Sequence, residues 1–167
     1  MVCQSVRRLD QRGWTLAELL VVIAVIGILS AMAVPFMMTY LRSSTVRAGA
    51  QEMRTALNRG KQLAITLRQN ICVQPVGGNG YQFLQNTCAG AALVPVAINN
   101  PVPGADGTGT FRLQNSVAVA VNTAAPIFTP LGNASQAGEL RVTGPSGDCL
   151  KVTVSAAGRI TTPPNCP

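Results

Sequence analysis

The chain has 167 residues, of which 47% are hydrophobic and only 11% charged, and it contains no histidine. This composition excludes a disordered charged tail, and it removes the commonest general base and metal ligand from the chemistry available. Basic residues outnumber acidic residues by 13 to 6, and the length allows about one domain.

The first predicted element is a membrane-spanning helix. From 19 to 41 no residue is charged, and residues 19–38 read LLVVIAVIGILSAMAVPFMM. Twenty helical residues extend for about 30 Å, the thickness of the hydrocarbon core of a bilayer. Residues 1–13 carry three arginines and a single acid, Asp10. A basic flank of this kind stays in the cytoplasm, so we expect a span at about 16–38 with the C-terminus directed outward.

Two residues distinguish this segment from a plain anchor. Glu18 lies at its cytoplasmic edge, where an unpaired carboxylate is unfavourable and indicates a function. Pro35 removes one helical hydrogen bond within the span. The alternative is an ordinary secretory signal, for which residues 31–33 (AMA) offer a cleavage site. The length of the apolar run and the acid at its start disfavour that alternative.

Residues 13–19, GWTLAEL, resemble the prepilin signal of type IV pilins and type II secretion pseudopilins. The resemblance implies that a prepilin peptidase cuts after Gly13 and that Trp14, here in place of the usual phenylalanine, becomes the N-methylated terminus. It further implies that Glu18 is the assembly acid and that Pro35 loosens the helix. Cleavage would free an amino group four residues before Glu18, and this cation can neutralise the carboxylate in lipid, on the same or a neighbouring subunit.

The helical pattern continues beyond the membrane. Apolar or small residues recur at spacings of three and four from Val46 to Ile71, which predicts an amphipathic stripe within one helix over 14–70. A basic ridge accompanies the stripe, formed by Arg47, Arg54, Lys61 and Arg68 at intervals of seven and joined by Arg42 and Arg59. This ridge is either a solvated face or a contact surface for acidic partner subunits or phosphate.

The composition changes at about residue 70, after which most of the glycines and prolines occur. Residues 77–80, GGNG, are typical of a hairpin turn. Eight short strands are predicted, at 71–76, 81–84, 111–113, 117–121, 127–129, 139–142, 150–155 and 159–161. The predicted fold is therefore α+β, with a long N-terminal helix, half transmembrane and half amphipathic, packed on an antiparallel sheet or sandwich domain over 71–167.

Four cysteines lie in this domain: Cys72, Cys88, Cys149 and Cys166. An even number outside the cytoplasm indicates two disulfides, for which the sequence alone permits three connectivities. Bonds between sequence neighbours, 72 with 88 and 149 with 166, are favoured. Zinc is the alternative, but the chain has no histidine and no C-x-x-C motif.

The second half of the chain resembles the GspH/FimT family, which groups H-type pseudopilins with minor pilins. The resemblance is carried, in order, by FTPLG at 128–132, GELRV at 138–142, LKVTV at 150–154 and GRI at 158–160. Residues 56–65, ALNRGKQLAI, are similar to the outer helix of that family. Residues 85–110 are interpreted as a variable loop.

An enzyme is the least favoured class, because the five acids after residue 13 are dispersed and no catalytic motif is present. Residues 104–109, with the single acid Asp106, are interpreted as a turn rather than a calcium loop. Some minor pilins of the family bind DNA through a Gly-Arg-x-Arg motif, of which GRIT at 158–161 keeps only one arginine. Arg159 and Lys151 are the residues that this alternative would use.

The sequence thus predicts a structural minor pilin of a type IV pilus, with an H-type pseudopilin of type II secretion, or a DNA-binding minor pilin for natural transformation, as alternatives. The expected partners are other pilins or pseudopilins, the prepilin peptidase, an inner-membrane assembly platform and, before assembly, the lipid bilayer. No cofactor or metal is expected. The expected location is the bacterial inner membrane, with the C-terminal domain in the periplasm, and afterwards the fibre.

Overall fold

The computed structural model describes residues 15–92, 104–163 and 166. Helix α1 covers Leu16–Leu67 and belongs to two compact units, which divide between Thr39 and Tyr40. The helix ends where Arg68 adopts a left-handed backbone with φ of 53°, a common way to terminate a helix. The second unit holds the outer part of α1 and every described strand.

Nine strands follow the helix in the described part of the chain. They are β1 (Ile71–Val76), β2 (Gly80–Gln85), β3 (Thr110–Arg112), β4 (Ala118–Val121), β5 (Ile127–Phe128), β6 (Ala134–Gln136), β7 (Gly138–Thr143), β8 (Cys149–Val154) and β9 (Ile160–Thr161). All of their pairings are antiparallel. Strand β6 is the one that the sequence patterns do not predict, and the other eight each overlap a predicted run.

The strands form two sheets. One has the order β3-β2-β1-β5-β6 and the other the order β4-β7-β8-β9. The first hairpin pairs Val76 with Gly80 and Ile71 with Gln85, and its turn uses positive φ at Gly77 and Gly78, a conformation that glycine adopts without steric penalty. The long connection between β2 and β3 includes residues 93–103, which lie outside the described part of the chain.

One hydrophobic core joins the outer part of α1 to both sheets. Met53 and Leu57 of the helix, Phe83 of the first sheet and Val152 of the second are all fully buried in it. The predicted stripe is confirmed as the buried face of the helix, with Leu67 half-buried at its end. The amphipathic pattern therefore predicts this core face correctly.

Two glycines allow the helix to approach the sheets. A Cβ placed on Gly60 would lie 2.7 Å from Cγ2 of Val73, and one on Gly49 would lie 2.7 Å from Cγ2 of Val117. Real Cβ atoms do not approach other carbon atoms so closely, because interiors are packed near the van der Waals limit. Glycine at position 60 is thus a packing requirement of this fold.

The turns that follow β5 and β8 touch backbone to backbone. Gly158 has φ of 71°, and a Cβ at this position would overlap the carbonyl oxygen of Gly132. The same region is closed by a bond from the Ala134 amide to the Ala156 carbonyl, 3.0 Å long. The two turns are consequently fixed as one unit.

Candidate assembly site

The N-terminus of α1 carries a helix cap. The Glu18 amide donates a hydrogen bond to Oγ1 of Thr15 at 3.2 Å, so Thr15 is the capping residue and Glu18 lies in the first turn. A carboxylate in the first turn is stabilised by the positive end of the helix dipole. The spacing Thr-x-x-Glu from 15 to 18 is a capping signature that marks this cap in the sequence itself. Gly13 and Trp14 lie outside the described residues.

The following part of the helix is not covered by the rest of the described chain. Large apolar side chains point outward on all of its faces, including Leu19, Ile26, Met32 and Phe36, the last with 79% of its surface exposed. The helix is long and apolar enough to cross a membrane, and Pro35 lies within it. An apolar helix exposed all round is stable only in lipid or against other helices.

The outer part of the helix uses several of its polar residues to hold the β domain. The Glu52 carboxylate accepts the Gln114 amide through both oxygens, at 3.3 and 3.1 Å. The Arg59 guanidinium lies 5.0 Å from the centre of the Phe111 ring, a cation–π distance. Nζ of Lys61 donates to the Gly158 carbonyl at 3.1 Å. Lys61 therefore connects the helix to the two touching turns at Gly132 and Gly158.

These contacts divide the predicted basic ridge. Lys61 and Arg59 are half-buried against the domain, whereas Arg47 and Arg54 are exposed along the helix, and Arg68 is exposed just beyond its end. The side chains of Arg47 and Arg54 have no partner among the described residues. The ridge is thus partly structural and partly an open surface.

The residues predicted for DNA contact are on the second sheet. Nζ of Lys151 lies 3.9 Å from a Glu139 carboxylate oxygen, which also accepts Nδ2 of Asn122 at 2.8 Å. Register places Arg141 directly opposite Lys151, and Arg159 is exposed before β9. Lys151 is therefore partly neutralised and Arg159 is open to solvent. DNA contact by these two residues stays a prediction.

Two disulfides close the domain. Cys72 is bonded to Cys88, and Cys149 to Cys166. These are the pairs of sequence neighbours. The first joins Cys72 of β1 to Cys88, and it packs with Leu84 and Ala125 in a small second apolar cluster. The second fastens the segment after β9 to the start of β8.

The turn at 104–109 is built around Asp106, as predicted. Its carboxylate accepts the Thr108 hydroxyl at 2.6 Å and the amides of Thr108 and Thr110, each at 2.9 Å. These bonds, the hydroxyl first, lower the pKa of Asp106 below its usual value. Burial against the neighbouring rings raises the pKa of Tyr81 in the core. Within the described ranges, no three cysteine or acidic side chains cluster as metal ligands would.

Two known families match this chain. Residues 8–34 match the prokaryotic N-terminal methylation motif, and residues 49–158 match the type II transport protein GspH. The chain belongs to the GspH family of pilin-like proteins. A protein with 32% identity over 161 residues, covering 89% of this chain and 72% of the relative, is the type IV major pilin protein PilA of Myxococcus xanthus. Members of these families are structural subunits of fibres, and the matched methylation motif includes Glu18 and ends one residue before Pro35.

A solved pseudopilin structure shares the fold of this GspH-family chain. The minor pseudopilin EpsH of the Vibrio cholerae type II secretion system superposes with a TM-score of 0.51 at 13% identity, covering 74% of this chain and 96% of that one. The type IV minor pilin FimU of Pseudomonas aeruginosa gives a TM-score of 0.49 at 17% identity, covering 71% and 92%. The pilin-like fold predicted from the sequence is confirmed.

Proposed function

We propose that this chain is a minor structural subunit of a type IV pilus, held in the membrane and then in the fibre by its N-terminal helix. The observation that carries the proposal is the exposed apolar surface of α1 between residues 16 and 41. Lipid satisfies that surface before assembly, and the helices of neighbouring subunits satisfy it afterwards. The β domain, whose core is complete within the chain, forms the surface of the fibre.

Processing would prepare the helix for assembly. Cleavage after Gly13 by a prepilin peptidase leaves Trp14 as a methylated terminus whose amino group is still positive. A cation beside the N-terminus of a helix is at the unfavourable end of the dipole, and Glu18 in the first turn offsets that repulsion. Because the free terminus and Glu18 can also pair between subunits, insertion beside another helix improves the pairing for both.

The proposed location follows from the same features. The basic leader holds the N-terminus in the cytoplasm, so the disulfide-closed domain folds in the periplasm, where such bonds persist. An inner-membrane assembly platform would then move the subunit into the fibre. We propose a purely structural role without a cofactor, because the contacts described above hold the helix and the sheets together.

An H-type pseudopilin of type II secretion is the alternative, and the match to the GspH family model favours it as directly as it favours a minor pilin. The similarity to a major pilin gives weight to a pilus rather than a secretion machine. We place the minor pilus subunit first, because both the pilin relative and the narrower family match are consistent with it.

A deletion strain tests the choice. The strain is scored in parallel for pilus-dependent motility and for secretion of periplasmic enzymes, and a plasmid copy of the gene is the control. Loss of motility with normal secretion supports the pilus subunit. Loss of secretion with normal motility identifies the pseudopilin, and two normal phenotypes in a strain without redundant genes contradict both assignments.

A further inference from the structure

The acids after Tyr40 are almost all engaged within the chain. Glu52 binds the Gln114 amide, Asp106 closes its own turn, and Glu139 binds Asn122 and Lys151. Of the acids after Tyr40, only Asp148 has no side-chain partner among the described residues, and it lies in a turn of the second sheet rather than on the helix. The domain therefore has almost no carboxylate to offer to a neighbour.

Two arginines of the outer helix, in contrast to these acids, are not engaged within the described chain. Arg47 and Arg54 are both exposed, and a separation of seven residues places them on one face of α1, about 10 Å apart along its axis. Gln51 and Asn58, which are also exposed, share that face. The surface formed by these four residues, here called the arginine face, carries two positive charges and no acid.

The position of the arginine face makes it relevant to assembly. Arg47 lies six residues beyond Leu41, where the exposed apolar segment ends, which is about 9 Å along the helix. In the proposed fibre, the apolar segment packs against the helices of adjacent subunits. A neighbouring helix that packs against the end of that segment at Leu41 lies close enough to Arg47 for partly desolvated charges to interact strongly.

We propose that the arginine face binds an acidic helix of a different pilin subunit, and that this contact selects the chain's neighbour in the fibre. This inference rests on the proposed function. A second copy of the chain does not fit: whatever the axial offset between copies, its outer helix carries one acid, Glu52, which is already bound to Gln114. Neighbouring copies would align arginines, and like charges placed together exclude a partner.

A helical protein partner suits this surface better than a nucleic acid does. Affinity for DNA depends on neutralising many phosphates, and the arginine face supplies only two cations. Two charges at an interval of seven match the repeat with which packed helices present side chains to one another. An acidic helix can therefore pair with both arginines at once, and rim charges of this type act mainly on partner choice and association rate.

The test uses the full-length chain in cells that assemble the fibre. A photo-crosslinking amino acid replaces Gln51, at the centre of the arginine face, and the adduct is identified by mass spectrometry from sheared fibres. The variant Arg47→Glu/Arg54→Glu is compared with Arg68→Glu/Arg141→Glu, a matched control that makes the same charge change at exposed arginines elsewhere. Arg47→Lys/Arg54→Lys preserves the charge of the face.

We expect an adduct with another pilin subunit at an acidic position of its helix. The double reversal on the arginine face should lower both the adduct and the amount of chain in the fibre by roughly tenfold, as expected when two attractive rim pairs become repulsive. The control reversal and the lysine variant should retain them. Exchange of the partner's acids for arginine should restore incorporation of the reversed variant.

Four results would overturn the inference while leaving the proposed function intact: an adduct with a second copy of this chain, an adduct with nucleic acid, no adduct although the chain is present in the fibre, or equal effects of the two double reversals. Absence of the unmodified chain from sheared fibres, measured by immunoblot, would instead contradict the proposed function. The two failures are therefore distinguished by the same preparation.

Discussion

The two ends of helix α1 satisfy their apolar residues in different ways. Beyond residue 45, each residue of the stripe is covered by the sheets of its own chain, and Met53 and Leu57 have no exposed surface. Before residue 42, Leu29 and Phe36 are exposed and nothing in the described chain covers them. The outer part of the helix therefore belongs to a folding unit, whereas the inner part is an interface whose stability depends on lipid or on other subunits.

Substitutions of the two acids of the helix, Glu18 and Glu52, should give the largest difference between the inner and outer parts. Glu18→Val removes the carboxylate that we propose neutralises the processed terminus, so we expect a loss of roughly tenfold in incorporation into the fibre with normal membrane insertion. Glu52→Gln weakens the contact with Gln114 and should lower the free energy of unfolding by about 1 kcal/mol, with incorporation retained. Immunoblots of membranes measure insertion, and immunoblots of sheared fibres measure incorporation. Normal incorporation of the Glu18→Val chain would remove the assigned role of that acid.

Leucines in the two regions give the next largest contrast. Leu57→Ala opens a cavity in the core and should reduce the free energy of unfolding by about 2–5 kcal/mol. Leu29→Ala, at an exposed position of the inner helix, should leave domain unfolding unchanged. Denaturant titration of the full chain in detergent, followed by circular dichroism, provides the comparison. Equal destabilisation by the two substitutions would mean that the inner helix is part of the same folding unit.

Glycines refine the comparison with one identical substitution. Gly60→Ala places a methyl group 2.7 Å from Val73 and 3.1 Å from Phe83, an overpacking that costs about 1–3 kcal/mol. Because alanine favours the helix by up to about 1 kcal/mol relative to glycine, the free energy of unfolding should fall by about 1 kcal/mol in total. Gly27→Ala meets no atom within 4 Å and should have no effect on domain unfolding. A stabilised Gly60→Ala domain would show that the helix can move away from the sheet.

The smallest expected effect is a pH dependence of the domain alone. Because hydrogen bonds lower the pKa of Asp106 in the folded state, its stabilising contribution is complete above the unfolded value near 3.8 and declines as the pH falls below it. Asp106→Asn removes this titration. The loss of stability between pH 6 and pH 3 should therefore be smaller in the variant than in the natural chain. An identical pH dependence of the two proteins would exclude a contribution from this turn.

Local patterns predict most of this fold because most of its elements carry local signals. The stripe at intervals of three and four predicts the buried helix face, and short β-like runs between glycine and proline turns predict eight of the strands. Strand β6, Ala134–Gln136, has a polar and short sequence, and it is a strand because β5 pairs with it. Nothing within those three residues indicates that pairing.

The same limit applies to the assembly site. Glu18 and Pro35 are recognisable from sequence because their setting, an apolar run, is local. The contacts of Glu52 with Gln114 and of Lys61 with Gly158 join residues 62 and 97 positions apart, so a regular basic ridge did not reveal which of its members are engaged. The fold makes this division by turning Lys61 toward the sheets and leaving Arg47 and Arg54 in solvent.

The contact between the turns at Gly132 and Gly158 governs where this protein tolerates added sequence. A side chain at position 158 would displace the turn at Gly132, because the two backbones already touch there. A peptide tag inserted there should prevent folding. The turn after β7 is different, since Gly147 is exposed and a Cβ there meets no atom within 4 Å. An epitope placed after Ser146 should be accepted, and it would allow the subunit to be located along an assembled fibre by antibody labelling.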